Sequence, residues 1–342
     1  MTDTIVEYLN RNGYSFTKHK GDVGIEVETE CKTPYKIPKL SLWSSHQDGS
    51  LRDFGIEYVS KGPFGRGQQL DDGLGELDEK VIKQFELIPD SNTTSVHNHI
   101  NFLNNTWTDM WKYFVTYFFV ENILVRVAGP QRRSNLFCLP MCDAEGELQT
   151  ITDTVRKIGN IQGSKLALSE DNNKYSALNP CPILKFGTLE IRTLRGTTDV
   201  KLIKDWTLAL LALKDYACNP RRTPTSIVND FDKMGPEILY EMFGDSFKLI
   251  KDVPDHSGLM EKNLHYVAKI ATASRFNENW GFPKPKKLFK EKLIPELDRI
   301  AQELYKNSYK SLPYVERIVV DERLAREFKL EPRQVIFAEG DL

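Results

Sequence analysis

The strongest constraint on the fold of this chain is a set of short segments in which apolar and charged side chains alternate with a period of two. Side chains along a strand point to opposite faces, so residues two apart share a face. Over residues 23–30, Val23, Ile25 and Val27 fall on one side and Glu26, Glu28 and Glu30 on the other. Residues 94–102 set Val96, Ile100 and Phe102 against His97, His99 and Asn101. Residues 187–193 set Leu189 and Ile191 against Thr188, Glu190 and Arg192, and over 56–60 Glu57 opposes Ile56 and Tyr58. Two further strands are predicted at 40–45 and 175–179. Such alternation usually marks a sheet with one solvated face. The residue types argue against that here: one strand stacks three carboxylates, another two imidazoles, and a third an acid beside an arginine. Crowded carboxylates repel and raise one another's pKa unless something positive lies among them. Glutamate with histidine is a ligand set for divalent cations, and arginine grips phosphate oxygens bidentately. Carboxylate-held metal with arginine is the recurring equipment of phosphoryl transfer.

Helical periodicity takes over elsewhere. A short helix is predicted up to about Asn10. Thr106 with Asp109 makes a capping-box-like start for a helix over 106–128, which Gly129-Pro130 ends. Asp199 is placed to cap a helix over 200–217, whose apolar face carries Leu202, Ile203, Trp206, Ala209, Leu210 and Leu213. After a break at 219–224, helices are predicted at 237–243, 259–273, 288–305 and 322–328. Strands fill the first two-thirds and helices dominate the last third, which predicts an α+β fold: an antiparallel sheet followed by a mainly helical C-terminal region. The 342 residues allow about two domains, and the expected division is 1–218 and 219–342.

Composition narrows the function classes. The 46 Lys and Arg nearly cancel the 48 Asp and Glu, leaving −2, which excludes a generic coat for nucleic acid. The 11% aromatic content supplies core material that a disordered chain lacks. The most apolar segment, 113–128, contains Glu121, Asn122 and Arg126 and is too short and polar to span a bilayer. The polar start offers no secretory signal. Five cysteines (Cys31, Cys138, Cys142, Cys181, Cys218) without a CxxC pair suit reduced thiols. The expected compartment is cytoplasmic. Asp48, in the turn Gln47-Asp48-Gly49-Ser50, reads either as a ligand or as an Asx-turn residue. Arg132 and Arg133 follow the Gly129-Pro130 break, where a loop aims them at an anion or leaves them exposed; Arg195 adds a third candidate. The glycine-rich 62–67 reads as a loop over a site. Lys284, Lys286, Lys287, Lys290 and Lys292 read as the solvated face of a helix start. P-loop, dinucleotide, HExxH and GxSxG signatures are all missing from the sequence.

Seven segments stand in an order that resembles the amidoligase family. They are Gly24-Ile25-Glu26-Val27-Glu28, Asp48-Gly49-Ser50, Gly55-Ile56-Glu57-Tyr58-Val59-Ser60, Val96-His97-Asn98-His99, Arg133-Ser134-Asn135, Tyr175-Ser176-Ala177-Leu178-Asn179 and Gly187-Thr188-Leu189-Glu190-Ile191-Arg192. That family is similar in fold to glutamine synthetase and glutamate–cysteine ligase, and its members often occur in bacteriophage and bacterial gene clusters. The resemblance implies a curved antiparallel sheet whose concave face binds ATP and Mg²⁺ (or Mn²⁺), and a cytoplasmic carboxylate–amine ligase. ATP phosphorylates a substrate carboxylate, and an amine then displaces phosphate to form an amide. Carried over by position, Glu26, Glu28, Glu57, His99 and Glu190 match metal ligands. Arg192 and Arg133 match positions at the ATP phosphates or the transferring phosphoryl group, with Arg195 beside them, and Asp48 matches a residue near the metal or the amine. Thr94-Ser95-Val96 and Asn98 depart from the family's histidine motif, which leaves the choice between His97 and His99 open. The expected partners are small-molecule or peptide carboxylates and amines, with no nucleic acid and no membrane; a homo-oligomer is left open. Two other classes use the same residues: a metal-dependent phosphodiesterase or nuclease, and a non-catalytic binding protein that keeps the fold. The paired arginines and the intact acid set favour the ligase.

Overall fold

In the computed structural model the described residues are 3–16, 21–89, 91–133, 135, 138–140, 175–273 and 287–328. The alternating segments form one six-stranded sheet, in which β1 is Val23–Thr29, β2 Trp43–His46, β3 Ile56–Ser60, β4 Ser95–Asn101, β5 Leu178–Asn179 and β6 Thr188–Arg195. Their order is β2-β3-β1-β4-β6-β5 and each neighbouring pair is antiparallel. Between Val96↔Leu194 and Asn98↔Ile191, β6 carries one residue more than β4, a bulge at Arg192 and Thr193.

Two strands are shorter at the start than their sequences predict. Residue 43, not 40, opens β2, because the carboxylate of Glu76 takes the backbone N–H groups of Ser41 (2.9 Å) and Leu42 (2.7 Å). β5 holds two residues, because Leu139 takes up the residues before it instead, donating its N–H to the Tyr175 carbonyl and accepting the Ala177 N–H.

The predicted caps at Thr106 and Asp199 hold, whereas the helices expected at 259–273 and 322–328 start earlier, at His256 and Tyr314. Helix α1 is Ile5–Arg11, capped by Thr4 and Glu7. Helix α3 is Trp107–Ala128, and the Thr106 hydroxyl accepts the Asp109 N–H while the Asp109 carboxylate accepts the Thr106 N–H. Two helices were hidden from sequence by their own punctuation. Helix α2, Gln68–Leu77, starts directly at Gly67, whose φ of 77° only glycine adopts readily, so the glycine-rich stretch is the entrance to a helix rather than a free loop. Helix α4 is the short Ile183–Phe186, and α5, Val200–Ala217, is capped by Asp199. Helix α6, Pro224–Met234, uses the apparent chain break as its start: Thr223 caps and Pro224 occupies the first turn, where its missing N–H costs nothing. Helices α7 (Ile238–Phe243), α8 (His256–Ala273), α9 (Lys287–Tyr305) and α10 (Tyr314–Phe328) follow.

The apolar face of the sheet (Val23, Ile25, Val27, Val96, Ile100, Ile191) packs on α3 and α5 in one buried cluster. Polar contacts fix the register of the layers: Asn98 donates to the Thr207 hydroxyl (2.9 Å), and the Tyr117 and Thr193 hydroxyls lie 2.6 Å apart. Helix α3 is buried nearly all round because α8 covers its outer side, where Trp111 Nε1 donates to the Ile270 carbonyl (2.9 Å) and Asn263 to the Phe118 carbonyl (2.6 Å). The same core therefore continues past residue 218 through Ile227, Phe231, Ile238 and Met260. A separate small core of Leu297, Ile300, Tyr309, Leu312, Val320 and Leu324 joins α9 to α10. Among the described residues no helix is long and apolar enough to cross a membrane, and Cys31, Cys138, Cys181 and Cys218 form no disulfide with one another. Cys142, Ser134, Lys284 and Lys286 lie outside the described residues, as do the side chains of Lys287, Lys290 and Lys292.

Candidate functional site: an acidic row on the open face of the sheet

Residues directly opposite in a sheet share a face. The register sets Glu28 against Glu57, Glu26 against His97, Gly24 against His99 and His99 against Glu190. The charged side chains that sequence predicts on one face therefore do converge, on the side away from α3 and α5.

His97 is the hub. Its Nδ1 lies 3.2 Å from both Glu26 Oε2 and Glu190 Oε1, and its Nε2 lies 2.7 Å from the Ser95 hydroxyl. His99 Nε2 lies 3.0 Å from Glu26 Oε1, and its Nδ1 is 3.2 Å from the Thr188 hydroxyl. Glu190 accepts from Asn179 (2.6 Å) and Arg192 (2.5 Å), and Glu28 accepts from Ser95 (2.6 Å).

Among the described residues, two groups of potential ligand atoms result. One atom each from Glu26, His99 and Glu190 lies within 4.8 Å of the others, and so does one each from Glu28, Asp48 and Glu57. His99 joins a group while His97 is enclosed by carboxylates. Asp48 takes the turn reading: its carboxylate accepts the Ser50 N–H at 2.8 Å, closing an Asx turn, and that turn carries it within reach of Glu28 and Glu57. Glu30 stands apart. It accepts from Arg52 N–H and from the Ser91 and Thr93 hydroxyls, which makes it a loop anchor.

The electrostatics mark an excess of negative charge. Burial, then the charges of Glu26 and Glu28, push the Glu57 carboxyl up to about 7. Burial also pushes Glu26 up, but hydrogen bonds and charge from His97 and His99 outweigh it and hold Glu26 well below the usual carboxylate range. For His99, burial pulls down, and the Glu26 hydrogen bond with the charges of Glu26 and Glu190 more than reverses this. A cation beside Glu57 would remove the penalty on its ionised form, so the donor set fits a hard divalent ion.

The arginines separate into three roles. Arg192 stands in the row through Glu190. Arg195 donates to the Val127 and Ala128 carbonyls at the end of α3, and Arg133 is exposed. Its neighbour Arg132 is the buried one, at 4% exposure. The sequence offers both arginines at this break, and the resemblance selects Arg133, because adjacency in a loop carries no periodic signal that tells the buried one from the exposed one. His46 was missed as well: the predicted strand stopped one residue short of it, and the register pairs it with Glu57.

Two cavities flank the row. A cavity of about 560 Å³ has Glu26 and His99 on one side and Tyr14, Phe16, Lys61 and Phe186 around it, within the range of ligand-binding pockets. Gly62 and Pro63, from the glycine-rich stretch, line it too. A smaller one of about 60 Å³ lies beside Glu28, Arg132 and Arg192. No known family profile matches the chain, and no characterised protein matches it in sequence.

Proposed function

We propose that the open face of the sheet binds ATP with Mg²⁺ and catalyses carboxylate–amine ligation, as the resemblance to amidoligases implies. The observation that carries this reading is the pair of three-residue donor groups, side by side on one face, next to a cavity of nucleoside size. Glu26, His99 and Glu190 would hold one ion and Glu28, Asp48 and Glu57 a second, and the same oxygen and imidazole donors also suit Mn²⁺. The ions supply charge neutralisation for the triphosphate and for the crowded carboxylates. Tyr14, Phe16 and Phe186 offer apolar and aromatic surface for the adenosine.

In the proposed reaction a substrate carboxylate oxygen attacks the γ-phosphorus, giving ADP and an acyl phosphate. The amine then attacks the acyl carbon, phosphate departs with the C–O bond electrons, and the amine loses a proton. Arg192, held by Glu190, stabilises charge on the transferred phosphoryl group; removal of one such group costs on the order of 10²–10³ in rate. The reading extends to the fold: the sheet is of the concave glutamine-synthetase type, and the segment from 219 onward shapes substrate choice.

Calorimetric titration of MgATP into wild type and Glu28→Gln tests the assignment. Binding is expected in the wild type and strong weakening in the variant; equal binding in both would sink it. ADP and phosphate release should require a carboxylate and an amine together. Nucleic-acid cleavage without nucleotide would instead place the same residues in a metal-dependent phosphodiesterase, and absence of both nucleotide and metal binding would leave a non-catalytic binding protein.

A further inference from the structure

We infer that the smaller cavity is an oxyanion pocket, which takes a single carboxylate or phosphoryl group between Arg132 and Arg192. The inference deepens the ligase reading and rests on it for the identity of the ligand, while the pocket itself stands on charge and geometry.

Arg132 is nearly inaccessible, and among the described residues its guanidinium donates only to neutral oxygens: Nε to the Thr193 carbonyl (3.1 Å) and Nη2 to the Arg192 carbonyl (2.5 Å). Among the described residues it makes no ion pair. A buried guanidinium without a carboxylate partner is expensive, and here it stands beside a second arginine. Around the two lie Ser50, Asn92 and Asn135, all able to donate, and among the described residues of the lining Glu28 is the single acid. Arg192 already pairs with Glu190 (2.5 Å), so the guanidinium without an acid partner is that of Arg132. A ligand oxyanion would supply that partner.

Size and place agree. A water needs about 15 Å³ of such space, so 60 Å³ lodges a group of roughly four heavy atoms, too few for a nucleoside. The two cavities share three strands but sit at opposite ends of them. The larger meets Glu26, His99 and Thr188; the smaller meets Glu28, Ser95 and Arg192. Four steps along β6, about 13 Å of strand, separate Thr188 from Arg192. The bulge at Arg192 and Thr193 is what Arg132 clasps, so the same contact that pins the bulge also fixes the pocket wall.

The test is calorimetric titration of inorganic phosphate and, separately, of succinate into the full chain without nucleotide. Wild type should bind at least one. Asn92→Asp, at an exposed turn position, brings a negative charge to the pocket rim and should weaken that binding about tenfold, with circular dichroism confirming an intact fold. Arg132→Lys keeps the charge but loses the fork and should weaken it as well. Succinate binding alone identifies the acid substrate as the source of the anion, and phosphate binding alone the phosphoryl group. No binding of either anion, or equal binding by wild type and Asn92→Asp, overturns the pocket. Loss of MgATP binding by the wild type, with anion binding intact, would overturn the ligase reading and leave the pocket standing.

Discussion

At the scale of single residues, His97 and Glu57 show how the open face manages its charge. His97 separates three carboxylates by sitting among them, within 3.2 Å of two and 4.0 Å of the third. Among the described residues Glu57 has no such contact, and burial with the repulsion of Glu26 and Glu28 outweighs the more distant attraction of His97. Glu57→Gln should therefore leave the metal-free protein at least as stable as wild type, while reducing the stabilisation that Mg²⁺ confers. A ligand at a hundred times its dissociation constant adds about 2.7 kcal/mol, and the variant should show a clearly smaller rise in melting temperature with Mg²⁺ than wild type. A variant that melts below wild type without metal would show that Glu57 is not under repulsion. The identity of these residues was legible in the sequence, since period two places Glu26, Glu28, His97, His99 and Glu190 on one face. Their partners were not. Asn179 and Ser95 hold Glu190 and Glu28 through contacts that only strand pairing creates.

Elements were readable where the signal is local and silent where it is not. The capping pair Thr106–Asp109 marks α3 in the sequence and in the structure. The start of β2 depends on Glu76, 34 residues away in the chain from Leu42, so no window of sequence around β2 contains the cause. Glu76 accepts from Lys80, from the Ser41 hydroxyl and from two backbone N–H groups. Burial opposes its charge, but these bonds outweigh burial and bring its carboxyl down to about 2. The sign follows: a depressed folded-state pKa contributes stability that is fully present above the unfolded value of 4.5 and is lost as pH falls toward 2. Glu76→Ala should cost about 1–3 kcal/mol at neutral pH, measured by urea unfolding, and the difference from wild type should shrink below pH 4.5. A difference that stays constant down to pH 2 would show that the carboxylate charge is not what anchors β2.

For the whole molecule, the helices beyond residue 218 are bound to the sheet through α3. Trp111 and Phe118 on α3 meet α8 at Ile270 and Asn263, so a chain cut after residue 218 would expose a long apolar flank. Such a fragment should bind a hydrophobic dye, lose the cooperative melt of the full chain and aggregate. A fragment that melts cooperatively and stays monomeric would instead support the expected division at 218. This continuity was not legible, because an almost uniformly apolar helix such as α3 reveals that it is buried but not by what.

The two donor groups draw on neighbouring positions of a single strand: Glu26 belongs to one and Glu28 to the other. Two residues of strand advance about 6.6–6.8 Å, and that step belongs to the backbone, whatever side chains it carries. The strand is therefore a ruler. Exchange of ligands along β1 and its neighbours can change which ions or oxyanions the face prefers, while the interval between the two stations is inherited with the fold.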